Sequence, residues 1–128
     1  MTLYSYECDV DRDYYGGSVN DYKVRCKITK VAVDVRETEK CFISEDGQYV
    51  ARYKRRIEKD RLDKVKAPSY MFGTYKMISL EDNTDKFLKA VIASLDTKIA
   101  EYEEKVAKAR RGIAAIMDAD CSNVKTEW

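Results

Sequence analysis

An α+β fold is predicted by the sequence, with an N-terminal antiparallel β-sheet or small open barrel followed by one long C-terminal helix. Apolar and polar residues alternate with a period of two through much of residues 1–78, as they do in half-buried strands. After Asn83 the apolar residues recur at spacings of four and three, which is the pattern of an amphipathic helix. At 128 residues, the chain is long enough for one domain with its own core.

The β region begins with a strand over residues 3–10, and the pair Gly16-Gly17 predicts a loop at residues 14–18. In a second alternation, the apolar residues occupy even positions over residues 22–28 and odd positions over residues 31–35, so the pattern shifts by one residue. Two interpretations stay open: one strand that contains a bulge or bend, which we favour, or two strands with a very tight connection.

Three further strands are predicted over residues 40–44, 49–56 and 69–78. The sequence Glu45-Asp46-Gly47-Gln48 is typical of a hairpin turn between the first two of them. A short helix is expected near residues 57–66, and it should end before Pro68.

The long helix is predicted over residues 79–118, followed by a C-terminal tail over residues 119–128. Residues 79–82 have the spacing of a capping box, and Asn83 or Thr84 offers a second cap. Such a helix is on the order of 50 Å long, which exceeds what a small sheet can cover. The predicted oligomer interface consists of Leu88, Ile92, Leu95, Ile99, Tyr102, Val106, Ile113 and Ile116.

The first turns of this helix are expected to pack on the sheet, because Phe87, Ala90 and Val91 widen the apolar face there. The later turns need another surface: they fold back as a helical hairpin or meet another copy of the chain. Because no turn signal interrupts residues 84–111, we predict a coiled coil in a homo-oligomer, either a dimer or a larger assembly.

Composition argues against several classes of function. The net charge of +1 gives no general attraction to nucleic acids or membranes, and no stretch resembles a signal peptide or a membrane span. The chain has no histidine, so we expect a non-enzymatic protein without a metal or cofactor. The four cysteines form no C-x-x-C pair, and we expect reduced thiols in the cytoplasm.

Binding is the function that the side chains favour. Ten tyrosines are present, and tyrosine interleaves with basic residues over residues 49–56. These cations could form an anion-binding strip with Lys23, Arg25 and Lys27 if the strands are neighbours, whereas the alternative is a solvated sheet face. Basic residues late in the helix could likewise bind an anion, or simply complement the helix dipole. The predicted ligand-binding residues are Arg52, Tyr53, Arg55, Arg56, Phe72, Tyr75, Asn83, Arg110 and Arg111.

Four segments together resemble small accessory proteins of phages and prophages, several of which counter bacterial immunity. They are Tyr14-Tyr15-Gly16, residues 35–42, the basic residues 52–65 and residues 75–83. The layout of antiparallel sheet, helix and small oligomer is similar to that of the anti-Thoeris sponge proteins, which sequester nucleotide-derived immune signals without cleaving them. The resemblance implies the cytoplasm of a host bacterial cell as the location. The ligand-binding residues above rest on the charge and aromatic pattern alone.

The leading hypothesis is therefore an oligomeric anti-defence protein that sequesters a small phosphorylated nucleotide, of the cyclic nucleotide or cyclic ADP-ribose type. Tyrosine or phenylalanine would stack on the base, and arginines would hold the phosphates. The alternative is a protein inhibitor that binds a bacterial defence effector, as anti-CRISPR proteins do. A direct nucleic-acid binder using residues 52–66 is a third interpretation, which the near-neutral charge disfavours.

Overall fold

The structure is a computed structural model that describes residues 1–18, 21–51 and 54–119. Its strands are β1 (Thr2–Ser18), β2 (Asp21–Glu37), β3 (Cys41–Ser44), β4 (Arg56–Glu58) and β5 (Gly73–Ser79). A short 3-10 helix occupies Lys59–Arg61, and the long helix α1 occupies Thr84–Met117. The predicted α+β class, with an antiparallel sheet followed by one long helix, is confirmed.

The five strands form one sheet in the order β4-β3-β2-β1-β5, and every pair of neighbours is antiparallel. The chain that leaves β4 returns to β5, so the sheet curls into a half-barrel. The backbone N–H of Asp63 donates to the carbonyl of Ile78 at 2.9 Å, and Lys66 and Lys76 exchange backbone hydrogen bonds. The segment between β4 and β5 thereby hydrogen-bonds along the edge of β5 that does not pair with β1.

The predicted loop at residues 14–18 is wrong, because β1 extends to Ser18 and pairs with β2. The pairing shifts its register between Asp13 and Ser18, and such an irregularity can accommodate the two glycines within a paired strand.

The predicted bulge near residues 29 and 30 is also wrong. The pairing of β1 with β2 is continuous there, with Glu7 opposite Thr29 and Ser5 opposite Val31. Successive residues of a regular strand point to opposite faces, so the parity shift means that the apolar side of β2 changes from one face to the other.

Two core clusters lie on opposite faces of the sheet, and only the later apolar residues of β2 are buried: Val33 and Val35 belong to the first cluster, whereas Val24, Cys26 and Ile28 are exposed. The first core cluster contains Leu3, Val33, Val35, Phe42, Val50 and Ile57, with Leu62 and Ile78 packed against it. The second core cluster contains Tyr6, Cys8, Tyr75, Met77, Phe87 and Val91, with Tyr4, Val10, Val65, Leu88 and Leu95 packed against it. The first turns of α1 cover the second cluster, as the widened apolar face predicts.

The fourth predicted strand, at residues 49–56, is shorter and later than expected. Ala51 and Lys54 pair with each other in an isolated antiparallel bridge, and β4 starts only at Arg56. Residues 59–61 of the expected short helix form a single 3-10 turn. The side chain of Val50 is buried in the first core cluster, and this tertiary packing replaces the regular alternation that the sequence indicates.

Helix α1 begins at Thr84 rather than at Ser79, which is the last residue of β5. The N-cap is Asn83, whose side-chain oxygen accepts a hydrogen bond from the backbone N–H of Lys86 at 3.1 Å. The capping-box start is therefore wrong and the second cap is correct. Within the described ranges, no helix is long and apolar enough to span a membrane.

The chain divides into two compact units, Met1–Leu95 and Asp96–Trp128. The first unit contains the sheet, both core clusters and the first turns of α1. The described part of the second unit is the remainder of α1 and the two residues that follow it.

Candidate functional site

The main candidate site is an apolar stripe along α1 whose side chains are exposed. We call this stripe the exposed seam. It consists of Ile92, Ile99, Tyr102, Val106, Ala109, Ile113 and Ile116. Its six large side chains are between 43% and 76% exposed. A helix face this apolar is normally covered in a folded protein, because leaving it in water forfeits the free energy of burial.

The predicted oligomer interface therefore separates into two groups. Leu88 and Leu95 are half-buried and pack against the second core cluster, so they help to hold α1 on the sheet. Ile92 lies between them in sequence and is 58% exposed, because it points away from the face that covers the sheet. The six other members of the predicted interface belong to the exposed seam.

The charges of α1 are segregated along the helix, and those that flank the exposed seam are Asp96, Lys98, Glu103, Lys105 and Arg110. The half from Ile92 to Glu104 holds four acids, at residues 96, 101, 103 and 104, against the single lysine at residue 98. The half from Lys105 to Met117 holds four cations, at residues 105, 108, 110 and 111, and no acid. Glu104 and Lys108 meet in a surface ion pair at 3.4 Å where the two halves join.

The predicted ligand-binding arginines of the first unit lie beside β4. Arg55 is exposed, and its guanidinium carbon lies 5.5 Å from the ring centroid of Tyr49. Arg56 is an exposed residue of β4 opposite Ile43. Arg52 and Tyr53 lie outside the described residues.

The predicted ligand-binding residues near β5 have different environments. Phe72 is half-buried, and the guanidinium carbon of Arg12 lies 4.9 Å from its ring centroid. Tyr75 is fully buried in the second core cluster, and its hydroxyl donates to the carbonyl oxygen of Met71 at 3.0 Å. Burial and, to a smaller extent, Cys8 raise the pKa of Tyr75. Its ring therefore serves the core rather than an exposed surface.

The strand order separates these two groups. Arg56 is on β4 and Tyr75 is on β5, which are the first and last strands of the sheet. Asn83 is engaged as the cap of α1, while Arg110 and Arg111 are exposed residues of the second unit. Within the first unit, the exposed or half-buried ring and guanidinium groups of the predicted site form two surfaces, one with Arg55 and Arg56 and one with Phe72, while Tyr75 belongs to the core and Asn83 caps α1.

The pairing of β1 with β2 reduces the positive charge of the anion-binding strip that was predicted from Lys23, Arg25 and Lys27. These positions of β2 lie directly opposite acidic positions of β1: Arg25 faces Asp11, and Lys27 faces Asp9. Opposite charges at facing positions attract each other across the strands and reduce the net charge of this surface. In addition, β2 pairs with β3 only at residues 35–37, so the strip does not adjoin β4.

A polar junction that sequence patterns do not reveal joins β1 to the start of α1. The hydroxyl of Tyr6 donates to the carbonyl of Glu81 and accepts the backbone N–H of Asn83, both at 2.8 Å. Lys30 of β2 reaches the same segment through Asp82, at 2.6 Å. This hydrogen bond to Asp82 raises the pKa of Lys30. Only the fold brings these residues together, since they are more than fifty positions apart in the sequence.

The described residues contain no cluster of acidic or cysteine side chains that could hold a metal ion. Cys8, Cys26 and Cys41 are free thiols in this part of the chain. Comparison with protein-family models, with curated proteins and with solved structures found no match. Function is therefore inferred from the exposed seam and from the two arginine–aromatic surfaces.

Proposed function

We propose that this chain is a non-enzymatic binding protein that works as a homo-oligomer and sequesters a small nucleotide-derived immune signal. The observation that carries the proposal is the exposed seam. Its heptad spacing and exposure are the properties of a helix that buries its apolar face against another chain. Such assembly multiplies each ligand-binding surface by the number of copies, which suits a protein that titrates a signal rather than transforming it.

Two arginine–aromatic surfaces support the ligand part of the proposal. Arg12 lies over Phe72 at 4.9 Å, and Arg55 lies over Tyr49 at 5.5 Å. An aromatic ring offers a stacking surface for a planar base, and a neighbouring guanidinium can bind a phosphate with two parallel hydrogen bonds. A cyclic nucleotide or a cyclic ADP-ribose isomer has both groups within one small molecule.

Isothermal titration calorimetry against cyclic nucleotides and cyclic ADP-ribose isomers tests this proposal. We expect binding by the wild-type chain, and weaker binding by Arg12→Ala or by the double variant Arg55→Ala/Arg56→Ala. Lys89→Ala is the control, because Lys89 is an exposed cation of α1 outside both surfaces. Absence of binding at micromolar concentrations would refute the nucleotide ligand.

The alternative function is inhibition of a bacterial defence protein by direct binding. Tyr70 is 76% exposed and Met71 is 40% exposed, and large apolar side chains of this kind are typical of protein interfaces. A pull-down from a bacterial lysate that recovers one defence effector, and loses it with Tyr70→Ser/Met71→Ser, would favour this alternative over nucleotide sequestration.

A further inference from the structure

We infer that the exposed seam binds a second copy of α1 that runs antiparallel to the first. The inference rests on the proposed self-association and adds the direction and register of the two helices. In the inferred register, Tyr102 lies opposite the partner's Val106, Ile99 opposite the partner's Ala109, and Ile92 opposite the partner's Ile116. This alignment pairs exposed positions with exposed positions over most of the seam.

The sizes of the seam residues favour this pairing. In an antiparallel coiled coil, a residue at one heptad core position faces the other core position of the partner helix. Ala109 would face an isoleucine and Tyr102 would face a valine, so a small side chain meets a larger one in both layers. A parallel pair would instead place Tyr102 against Tyr102 and Ala109 against Ala109. One of those layers is crowded and the other leaves a gap, and both defects lower stability.

The segregated charges favour the same direction. An antiparallel partner places the acidic half of one helix, with four acids and one lysine, along the basic half of the other, with four cations and no acid. A parallel partner places the two basic halves side by side, with Lys105 next to the partner's Arg110. Opposite charges across an interface fix its orientation, and like charges disfavour the wrong one.

A second antiparallel register, shifted by one heptad, is equally apolar, but packing within the single chain disfavours it. A shift by one heptad toward the N-terminus would place Val106 opposite the partner's Leu95 and Ile113 opposite the partner's Leu88. Leu88 and Leu95 already pack against the second core cluster of their own chain. The inferred register places the half-buried Leu95 opposite the partner's Ile113 and does not use Leu88; its other layers use side chains that are exposed in the single chain.

This arrangement gives Arg110 a different role from the one that the sequence indicates. Arg110 flanks the seam and would lie beside the partner's Asp96, where it helps to hold the two chains together, whereas Arg111 lies on the side of α1 that faces away from the seam. We therefore expect Arg110→Ala to weaken association, and to change nucleotide binding only as far as association itself does, whereas Arg111→Ala should leave association unchanged.

Site-specific cross-linking in the full-length chain tests the direction of the helices. In a background with the four native cysteines replaced by serine or alanine, Ile99→Cys and Ala109→Cys are made as separate variants. We expect a mixture of the two to form cross-linked dimers under mild oxidation, and Ile99→Cys alone to form far fewer. Ala100→Cys, one residue away from the seam position, is the control and should not cross-link with either variant.

A second measurement keeps the native cysteines, in case their replacement prevents folding. A photoreactive phenylalanine analogue at position 92 should capture the tryptic peptide that follows Arg111 of the partner. Capture of the peptide that contains position 92 itself, or efficient self-linking of Ile99→Cys, would mean a parallel pair and would overturn this inference while self-association stands. A monomer in sedimentation experiments with no cross-linking would overturn the self-association as well.

Discussion

Tyr6 connects the sheet to the start of α1 through its side chain. Its ring is fully buried and stacks on Phe87, with ring centroids 5.2 Å apart. Its hydroxyl bonds to the backbone of Glu81 and Asn83, immediately before the helix. One residue of β1 thus contributes both to the second core cluster and to the backbone hydrogen bonding that precedes the helix.

Tyr6→Phe should lower the free energy of unfolding by about 1–3 kcal/mol, because the N–H of Asn83 loses a hydrogen-bond partner in a part-buried site. The ring and its contact with Phe87 remain, so the loss reports the hydroxyl alone. Tyr4→Phe is the control: the half-buried Tyr4 contacts Lys30 through its ring, which the change preserves. Urea denaturation measures both variants, and an equal loss in the two would contradict the assignment.

Cys8 makes stability depend on alkaline pH. Its thiol is buried in the second core cluster, and burial, followed by the effect of Cys26, raises its pKa above 9.0. The folded protein therefore keeps this proton at pH values where the unfolded chain loses it. The unfolded chain is then favoured, so the free energy of unfolding falls as the pH rises from 9.0 through the pKa of the folded state.

We expect Cys8→Ala to have a smaller loss of stability than the wild-type chain between neutral pH and a pH above 9.0. Val91→Ala, at a buried position of the same cluster that carries no titratable group, should retain the wild-type pH dependence. Urea denaturation measures the free energy of unfolding at each pH, and the change of this free energy with pH is compared between the variants. The same change with pH in wild type and in Cys8→Ala would show that this thiol does not contribute.

At the scale of the elements, two glycines differ in their backbone conformation and in the space around them, one at the start of a strand and one inside the helix. Gly73 begins β5 with φ of 140°, and an added Cβ would lie 2.7 Å from Cβ of Pro68. Gly112 is inside α1, and an added Cβ would meet nothing within 4 Å. The first glycine is required by its backbone conformation and its close neighbour, whereas the second only lowers helix propensity.

Gly73→Ala should therefore destabilise the protein by about 1–3 kcal/mol, since it introduces backbone strain and a clash. Gly112→Ala should stabilise it by about 0.5–1 kcal/mol through helix propensity. Thermal or urea unfolding should therefore show changes in the free energy of unfolding that have opposite signs in the two variants. A neutral Gly73→Ala would mean that the close approach to Pro68 does not exist.

Strand β2 shows how far sequence patterns determine an element. Alternation identifies it as a strand, and the apolar residues at 24, 26, 28, 33 and 35 are correctly seen as two sets of opposite parity. A bulge is the economical explanation when only one buried face is assumed. In the structure, Val33 and Val35 are buried in the first core cluster, whereas Val24, Cys26 and Ile28 point to the other face of the strand and are exposed. Which face is buried depends on what packs there, and that is set by distant residues.

At the scale of the whole molecule, the exposed seam is an apolar face that no other described segment of the chain covers. On the proposed self-association, the double variant Ile99→Asp/Ile113→Asp should convert oligomers to smaller species, because it places charges in two layers that association buries. Ala100→Asp/Ala114→Asp adds the same charges one residue further along, outside the seam, and should leave assembly unchanged. Analytical ultracentrifugation distinguishes these outcomes, and an unchanged size for the seam variant would contradict the interface.

The same seam variant separates assembly from ligand binding. If nucleotide binding weakens together with assembly, the ligand site depends on more than one chain. If the seam variant is monomeric and binds normally, the site lies within a single chain, and the surfaces around Phe72 and Arg55 are where it should be sought.

The sequence by itself determined the α+β class, the position of the first two strands and of the long helix, and the heptad seam. Each of these is a local periodic pattern, and a period of two or of three and four is dictated by backbone geometry alone. The tertiary structure decided which faces are buried, which of the possible caps begins α1, that Tyr75 belongs to the core, and that Arg56 lies on β4 whereas Phe72 precedes β5. These properties depend on contacts between residues far apart in the chain, and no local pattern contains them.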